Sequence, residues 1–499
     1  MEGRQTHVQT LMLVLVAGLL FFTRLDCPLQ EPEEPRYAEI PRQMLDHGQF
    51  TVPYYHGLPY YDKPPLLYWL VMGCYAVFGV HDWAAKLAPS SAGFLTVLVT
   101  YFWARKVAGQ RAAFAGAMML CLSGRFIYLG RLLTMNGLLC LCVIAALAAA
   151  HLAVQGPRWQ WRWWLVSALA CALGLLSKGP VALVLVSVPV LAFQCFNRSA
   201  VRPHMLPWLV YLVVALGLAL PWYLQLAVTE QGFLSYFFLK HNLLRYLSPF
   251  DHAKPVWFYL PELLLGMLPW SILLLPLVKH LLTRAQPEQR PIPPALQFFL
   301  LAFAWCLLFF SVSGSKRAGY ILPAMPFLAL ALGSQLDMAL CRTGKLEFNQ
   351  WKLSASWAWC SATTFVVLFV TVLVLLPSYA RRFSMRGQLQ CVTEVVGDRV
   401  PVICYPRRWD SVSFYLKRND IRVYTRAEWQ KLIGDLRRSP GSLAFIKSER
   451  FLDEFLESLP ASFEFIPVGQ PGQVAVGWVQ ARRGAASPTS QDASMSRGE

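Results

Sequence analysis

Long apolar runs recur through the first three quarters of this chain, and they restrict its fold more than any other feature. About 20 mostly apolar residues are enough to cross the hydrocarbon core of a bilayer as a helix. Such runs, some of them shorter, lie at about 11–22, 84–104, 112–123, 134–154, 163–177, 180–196, 206–227, 257–281, 295–312, 319–337 and 356–377. The sequence therefore predicts an α-helical polytopic membrane protein with about 11 to 13 transmembrane helices. The first run lacks a small-x-small cleavage site and is expected to be an uncleaved span.

The charge balance agrees with a membrane location. Charged residues make up 15% of the chain, against about 25% in soluble proteins, and the net charge is +17. Basic residues at the ends of membrane spans meet anionic lipid headgroups, which explains the excess without nucleic acid. No nucleic-acid-binding motif is present, so the expected partners are membrane lipids and not DNA or RNA. With a cytoplasmic N-terminus, the loops on the opposite side mix bases with acids and aromatics, which is more typical of a site than of a topogenic signal.

A change in composition near Ser378 predicts a second domain. Segments 400–405, 411–416 and 474–480 have strand-like patterns, and 425–436 reads as a helix with Thr425 as N-cap and Glu428 three residues later. We therefore expect a membrane domain over 1–379, a small soluble α/β domain over 380–482 outside the cytoplasm, and a disordered tail over 483–499. Cys391 and Cys404 could form a disulfide in that domain.

The loop predicted between the first two spans, 24–83, is the most informative segment. It begins with EPEEPRYAEIPRQML, which has four glutamates and two arginines, and continues to YYDKPPLLYW. Charges beside a membrane cost desolvation energy unless they pair or bind a ligand. A loop whose charges pair with one another and a catalytic loop both fit this pattern.

The motifs of this loop resemble those of the GT-C membrane glycosyltransferases, in the branch related to protein O-mannosyltransferases and the aminoarabinose transferase of lipid A. RYAEIPRQM and GLPYYDKPPLLYW are followed in the expected order by further motifs, and together they cover about 360 residues. These are SKGP at 177–180, PWY at 221–223, FFLKHNLLRY at 237–246, LPW at 268–270 and SGSKRAGYILPAMP at 313–326.

The resemblance implies a glycosyltransferase that takes a sugar from polyprenyl phosphate, without a nucleotide, and transfers it with inversion outside the cytoplasm. The acceptor would be lipid A, another glycan or a protein hydroxyl, and the location a bacterial inner membrane. The family's catalytic acid, usually Asp, corresponds to Glu33, which is followed by Glu34, so either glutamate could be the base. The cations expected to hold the lipid phosphate are Lys63, Arg245, Arg36, Lys178 and Arg131.

The resemblance also implies a divalent metal ion, zinc or similar. Its expected ligands are Asp62, His241 and Tyr320, although His241 could instead be a hydrogen-bonded histidine of the membrane interface. A transporter or flippase of lipid-linked substrates is the alternative function, and it would show internal repeats or charges in the middle of spans. No repeat is obvious. A family member that binds a lipid-linked sugar without transferring it also remains open.

Overall fold

The computed structural model of this chain describes residues 2–55, 57–248, 251–284, 292–342, 347–393, 400–468 and 474–482. They form two compact units. The first, called here the membrane unit, comprises Met1–Asp26 and Ile40–Leu376. The second, called the C-terminal unit, comprises Cys27–Glu39 and Pro377–Glu499. The division lies close to the predicted boundary at 379, but the acidic segment expected in the membrane domain belongs to the C-terminal unit.

Helices dominate the chain as far as residue 370, joined by short connections and one small hairpin of β1 (Tyr54–Tyr55) and β2 (Leu58–Pro59). In chain order the helices are α1 (Glu2–Phe22), α2 (Glu33–Asp46), α3 (Leu66–Phe78), α4 (Asp82–Val107), α5 (Gln110–Cys121), α6 (Gly124–Arg131), α7 (Met135–Val154), α8 (Trp161–Lys178), α9 (Val181–Phe196), α10 (Met205–Thr229), α11 (Arg245–Leu247), α12 (Tyr259–Gly266), α13 (Leu274–Arg284), α14 (Pro294–Val312), α15 (Met325–Arg342) and α16 (Glu347–Val370). A π-helix, Ser235–Leu244, precedes α11.

The predicted polytopic helical architecture is confirmed. Among the described residues, seven helices are long and apolar enough to cross a membrane, and counting two bent helix pairs as spans gives nine. One bent pair is α5 with α6, at 64°, and the other is Val256–Gly266 with Trp270–Thr283, at 111°. Two shorter apolar helices are α3 and α9. The sequence analysis placed α3 inside a loop, because its 13 residues fall short of the length that marks a span.

Small residues let the helices of the membrane unit approach closely. A Cβ added at Gly333 of α15 would lie 2.5 Å from the main-chain nitrogen of Gly116 in α5. Any side chain there would push the two helices apart. Close contact through glycine is a common way for membrane helices to gain packing energy, since lipid tails are as apolar as the side chains.

The C-terminal unit contains a five-stranded sheet of order β4-β3-β5-β7-β6. Its strands are β3 (Val402–Tyr405), β4 (Arg422–Val423), β5 (Gly441–Lys447), β6 (Phe463–Pro467) and β7 (Val474–Ala481), and its helices are α17 (Leu376–Phe383), α18 (Arg386–Thr393), α19 (Asp410–Leu416), α20 (Trp429–Arg437) and α21 (Ser448–Ser458). β3 pairs in parallel with β4 and β5, and β7 pairs antiparallel with β5 and β6. Apolar clusters cover both faces of the sheet, as a buried mixed sheet requires.

The predictions for individual strands and helices of the C-terminal unit are confirmed in part. The strands at 400–405 and 474–480 are confirmed by β3 and β7, and the Thr425–Glu428 capping box is present before α20. The strand predicted at 411–416 is wrong, because this segment is α19. Short apolar runs do not distinguish a strand from a buried helix by their periodicity alone. Cys404 is a free, buried thiol. The side chain of Cys391 and the predicted tail at 483–499 lie outside the described residues.

Candidate active site

A cavity of about 350 Å³ in the membrane unit collects most of the predicted site residues. One part of its wall is polar and charged, and the other is aromatic and aliphatic. The charged or polar members from the prediction are Asp62, Lys63, Lys178, His241, Arg245 and Tyr320, and the apolar wall includes Val181, Val184, Phe237, Phe238, Phe309 and Phe310. Chain segments far apart in sequence therefore bring cations next to a surface suited to a hydrocarbon chain.

Lys63 and His241 form the centre of the polar wall. Nζ of Lys63 lies 2.9 Å from Nε2 of His241 and donates to the carbonyl of Asp62 at 3.1 Å. Pro65 immediately precedes α3, so the backbone after Lys63 passes directly into a helix. Pro64 and Pro65 restrict that backbone and help to fix the direction in which the Lys63 side chain leaves it.

The environment keeps His241 neutral and Asp62 ionised. Burial and the charges of Lys63 and Arg245 lower the pKa of His241 to about 4. Burial raises the pKa of Asp62, but the hydrogen bond from Tyr236, at 2.6 Å, and the charge of Lys63 act against burial, and the pKa is lowered. At neutral pH the ring of His241 therefore accepts hydrogen bonds from the neighbouring cations without adding a charge.

Arg245 is held by an acidic residue that the sequence analysis missed. Its Nε and Nη2 donate to the two carboxylate oxygens of Asp251, at 3.0 and 2.7 Å, and its Nη1 lies 3.3 Å from Nε2 of His241. Oγ of Ser315 donates to Asp251 at 3.0 Å. Bidentate pairing of this kind fixes the plane of a guanidinium.

The SGSK turn has a structural task in this arrangement. Main-chain hydrogen bonds join it to α11 and to the segment that follows: Gly314 donates to Tyr246 of α11 at 2.8 Å, and Lys316 donates to His252 at 3.0 Å. Nζ of Lys316 donates to the carbonyls of Lys254 and Ser313. The turn thus fixes the segment that carries Asp251.

Lys178 contributes a third cation, from the C-terminal end of α8. Its Nζ donates to Oδ1 of Asn136 at 2.8 Å and lies 3.8 Å from the centroid of the Tyr320 ring. An amide oxygen and an aromatic face both stabilise an ammonium without neutralising it. Lys178 therefore directs an amine at the cavity, where a bound anion would favour its charged form.

The predicted metal ligands Asp62, His241 and Tyr320 all line the cavity, but the imidazole of His241 is already engaged by two cations. Nδ1 of His241 lies 4.0 Å from Oδ1 of Asp62, but Lys63 and Arg245 both donate toward Nε2. A neutral imidazole that accepts at Nε2 carries its proton on Nδ1, so it has no lone pair left for a metal. Within the described residues no group of three or more His, Cys, Asp or Glu side chains could hold an ion. The divalent metal ion stays a prediction.

The two candidate bases lie in the C-terminal unit, in the first turn of α2, and differ in their surroundings. The side chain of Glu34 is buried, with 1% of its surface exposed, and its carboxylate accepts the main-chain N–H of Gln30 at 2.9 Å. Glu33 is half-buried. Glu34 therefore serves the start of the helix, whereas Glu33 is the more accessible carboxylate.

Two of the predicted phosphate-binding arginines lie elsewhere. Arg131 does not line the cavity. Its guanidinium donates to the carbonyls of Leu20, Thr23 and Arg24, at the end of α1 and just after it, and so caps that helix. Its role as a phosphate ligand stays a prediction. Arg36 lies in the C-terminal unit, where its Nε donates to Oδ2 of Asp410 at 3.3 Å. Sequence gives the charge of an arginine but not its partners, so neither set of contacts was predicted.

Comparison with known proteins agrees with the motif resemblance. The model of the family described as dolichyl-phosphate-mannose-protein mannosyltransferase matches residues 62–224. An undecaprenyl phosphate-alpha-4-amino-4-deoxy-L-arabinose arabinosyl transferase of Yersinia pestis (strain Pestoides F) is 31% identical over 330 residues, which is 65% of this chain and 58% of that protein. A protein of the same name from Shewanella sediminis (strain HAW-EB3) is 32% identical over 314 residues, 62% of this chain and 56% of that protein.

The fold matches over almost the whole chain. The crystal structure of ArnT from Cupriavidus metallidurans bound to undecaprenyl phosphate superposes with a TM-score of 0.76, at 21% identity, over 94% of this chain and 97% of that one. In sequence and in fold the chain is thus similar to the membrane glycosyltransferases of the GT-C family. It is a multi-pass membrane protein, as the motifs and apolar helices predicted.

The region matched by the family model contains only some of the residues that line the cavity. The family match begins at Asp62 and includes Lys63 and Lys178, while Arg245 and Tyr320 follow it. The chain spans less than 60% of the length of the arabinosyl transferases it matches. The fold follows from these matches, whereas the reaction and its substrates have to be argued from the site.

Proposed function

We propose that this GT-C protein transfers a sugar from a polyprenyl-phosphate donor to an acceptor hydroxyl outside the cytoplasm of a bacterium, with inversion at the anomeric carbon. One observation carries the proposal. The cavity joins three cations, Lys63, Lys178 and Arg245, to an apolar aromatic wall within one chain unit. A lipid phosphate has the same two parts, an anionic head and a hydrocarbon tail.

The cations suit the chemistry of the leaving group. As the bond between the anomeric carbon and the phosphate oxygen breaks, negative charge grows on the phosphate. Lys63 and Arg245 approach the same imidazole nitrogen of His241, at 2.9 and 3.3 Å, so both lie close to one point in the cavity. Fixed cations at the place where charge develops stabilise the transition state more than the ground state.

Glu33 is the proposed general base. It would accept the acceptor's hydroxyl proton while the hydroxyl oxygen attacks the anomeric carbon and polyprenyl phosphate departs with the bonding electrons. Glu34 is buried and accepts a main-chain hydrogen bond at the start of α2, so it is less suited to proton transfer. The side of the membrane, the sugar and the acceptor belong to this proposal. Lipid A, another glycan and a protein hydroxyl are the acceptors to compare.

A transporter or flippase is less well supported. The charges of the cavity come from the segment before α3, the end of α8 and the segment after α10, all at the ends of helices. The relatives with matching sequences are named as transferases. A conduction path would instead place charges along the middle of spans.

Turnover by the purified full-length protein in lipid tests the proposal. The donor panel starts with undecaprenyl-phosphate-linked 4-amino-4-deoxy-L-arabinose, the sugar in the relatives' names, and includes mannosyl and hexosyl carriers. Lys63→Ala and Glu33→Gln should each abolish most of the transfer. Lys254→Ala is the matched control, because Lys254 is exposed and does not line the cavity.

Each outcome has a distinct meaning. Transfer by the wild-type protein that fails in both variants but persists in the control supports the proposal. Full activity of Glu33→Gln would assign the base to another residue. Donor binding without transfer to any acceptor class would favour a protein that only binds the lipid-linked sugar, and vesicle-to-vesicle movement of intact donor would favour a flippase.

A further inference from the structure

A short helix of the C-terminal unit, α19, holds the residues that precede Glu33. The main-chain N–H of Leu29 donates to the hydroxyl of Tyr415 at 3.0 Å. The main-chain N–H of Ser411, in the first turn of α19, donates to Oε1 of Glu31 at 2.7 Å. These two contacts fix the chain at positions four and two residues before Glu33.

The same helix holds the residue one turn after Glu33. Arg36 lies three residues further along α2, and its Nε donates to Oδ2 of Asp410 at 3.3 Å. The Asp410 side chain is 7% exposed and that of Arg36 is 32% exposed, so the pair is largely shielded from water. Shielding strengthens an ion pair relative to one on an open surface, where such pairs contribute little.

We propose that Asp410 and Tyr415 are positioning residues for Glu33, and that α19 is the element of the C-terminal unit that sets the place of the catalytic carboxylate. The inference rests on the proposed function, because it gives these residues a catalytic consequence only if Glu33 is the base.

A long side chain such as that of Glu33 needs a fixed backbone if its carboxylate is to stay in one place. Glutamate has one more rotatable bond than aspartate, so a carboxylate on glutamate samples more positions for a given backbone. A general base must stay within hydrogen-bond reach of the proton it accepts. Anchors on both sides of Glu33 confine its backbone and reduce that spread.

The ionisation of Asp410 provides a readout beyond stability. Burial, helped by the negative charges of Glu31 and Glu39, raises the pKa of Asp410 to about 7 against the lowering effect of Arg36. Burial also raises the pKa of Glu31. Protonation of Asp410 below this pH removes the charge that attracts Arg36, so the anchor weakens in the acid range.

Two matched pairs of variants test the positioning role. Asp410→Asn and Tyr415→Phe remove anchors of the Glu33 segment. Asp420→Asn and Tyr424→Phe are the controls in the same unit, since they remove the ion pair with Arg418 and the 2.6 Å hydrogen bond to Asp435. We expect each anchor variant to lower kcat by about 10- to 100-fold, the range that misplacing a reacting group costs, with the KM for donor nearly unchanged. The controls should retain wild-type kcat.

Combining Asp410→Asn with Glu33→Gln distinguishes a positioning role of Asp410 from a general loss of folding. If Asp410 acts through Glu33, Asp410→Asn should cause no further loss in Glu33→Gln, because the group it positions is already inactive. The wild-type protein should also lose kcat as the pH falls through about 7, and Asp410→Asn should lose that limb. Additive losses, or an unchanged kcat in both anchor variants, would overturn the inference.

Failure of the proposed transferase function can be distinguished from failure of the positioning role. In that case the wild-type protein itself transfers no sugar from any donor. Should the anchor variants prove unstable, Arg36→Lys offers a milder change that keeps the charge but loses the Nε contact to Asp410. A fall in kcat there, with unchanged thermal stability, would support the positioning role, whereas wild-type kcat would contradict it.

Discussion

Replacing Lys63 by glutamine removes one of the three cations of the cavity and keeps a side chain that can donate a hydrogen bond to His241. Two unit charges about 4 Å apart interact by about 4 kcal/mol at the dielectric typical of a protein surface. Arg245 and Lys178 remain, and the cavity is open to solvent, so we take about half of this value. A loss of about 2 kcal/mol corresponds to a fall of about 30-fold in kcat/KM for the donor.

The loss should depend on pH, because His241 can supply part of the missing charge. In the wild-type protein, burial and the charges of Lys63 and Arg245 hold the pKa of His241 at about 4, so the ring is neutral from pH 6 to pH 8. Removing the charge of Lys63 allows this pKa to rise toward the ordinary histidine value. At pH 6 a fraction of Lys63→Gln molecules then carries a cation at His241, and their kcat/KM should approach that of the wild type more closely than at pH 8.

Steady-state transfer measured in lipid from pH 6 to pH 8 gives the ratio of wild-type to variant kcat/KM directly. The double variant Lys63→Gln/His241→Gln is the control, since it cannot recover a cation at position 241. A ratio near 30 at pH 8 that falls at pH 6 only in the single variant supports the reasoning. A ratio that stays constant with pH, or that is close to one throughout, refutes it.

Three further predictions concern the partners of the cavity and the helix ends. Asp251→Ala removes both acceptors that orient Arg245 and should raise the donor KM by about 5- to 10-fold, or about 1 kcal/mol for a partly exposed pair, with little change in kcat. Arg131→Met leaves the carbonyls at the end of α1 without their donors and should lower the thermal midpoint in a fluorescence melt by several degrees while the donor KM stays constant. An unchanged melt would contradict its capping role. Dialysis against a chelator should leave turnover unchanged, because the donors around Nε2 of His241 place its ring proton on Nδ1. Loss of activity that zinc restores would show that the ligands rearrange around an ion.

The repeating features of the fold could be predicted from sequence because they rest on physics that acts locally. Apolar runs of about 20 residues indicate spans, and a Thr three residues before a Glu predicted the capping box at Thr425. The helix α3 was missed since its 13 residues fall short of a span, and α19 was taken for a strand since a short buried helix lacks a distinctive period.

The site was predictable only in part, because the partners of its charged residues depend on the tertiary fold. Sequence motifs and the family resemblance pointed to Lys63, His241 and Arg245, and the fold places all three on one cavity. Their partners were not predictable. Asp251 and Asn136 stand in no motif that sets them apart, and their roles depend on which charged side chain the fold brings to them. The same holds for Arg131, whose charge suggested a phosphate ligand and whose contacts with the carbonyls at the end of α1 could not be predicted.

The balance of charge in the cavity suggests which state of the reaction it favours. Among the described residues that line the cavity or form an ion pair with its lining, three are basic and two are carboxylates, and the histidine is neutral near pH 7: Lys63, Lys178, Arg245, Asp62, Asp251 and His241. With the three basic side chains protonated, their net charge is about +1, which balances the single negative charge of a sugar phosphodiester. The phosphate monoester released by transfer carries between one and two negative charges at neutral pH. The cavity therefore attracts the leaving group more strongly than the donor, and this difference lowers the barrier because the same charge grows in the transition state. It follows that polyprenyl phosphate should be a product inhibitor that binds more tightly than the donor, and that Lys63→Gln should weaken its inhibition by more than it raises the donor KM.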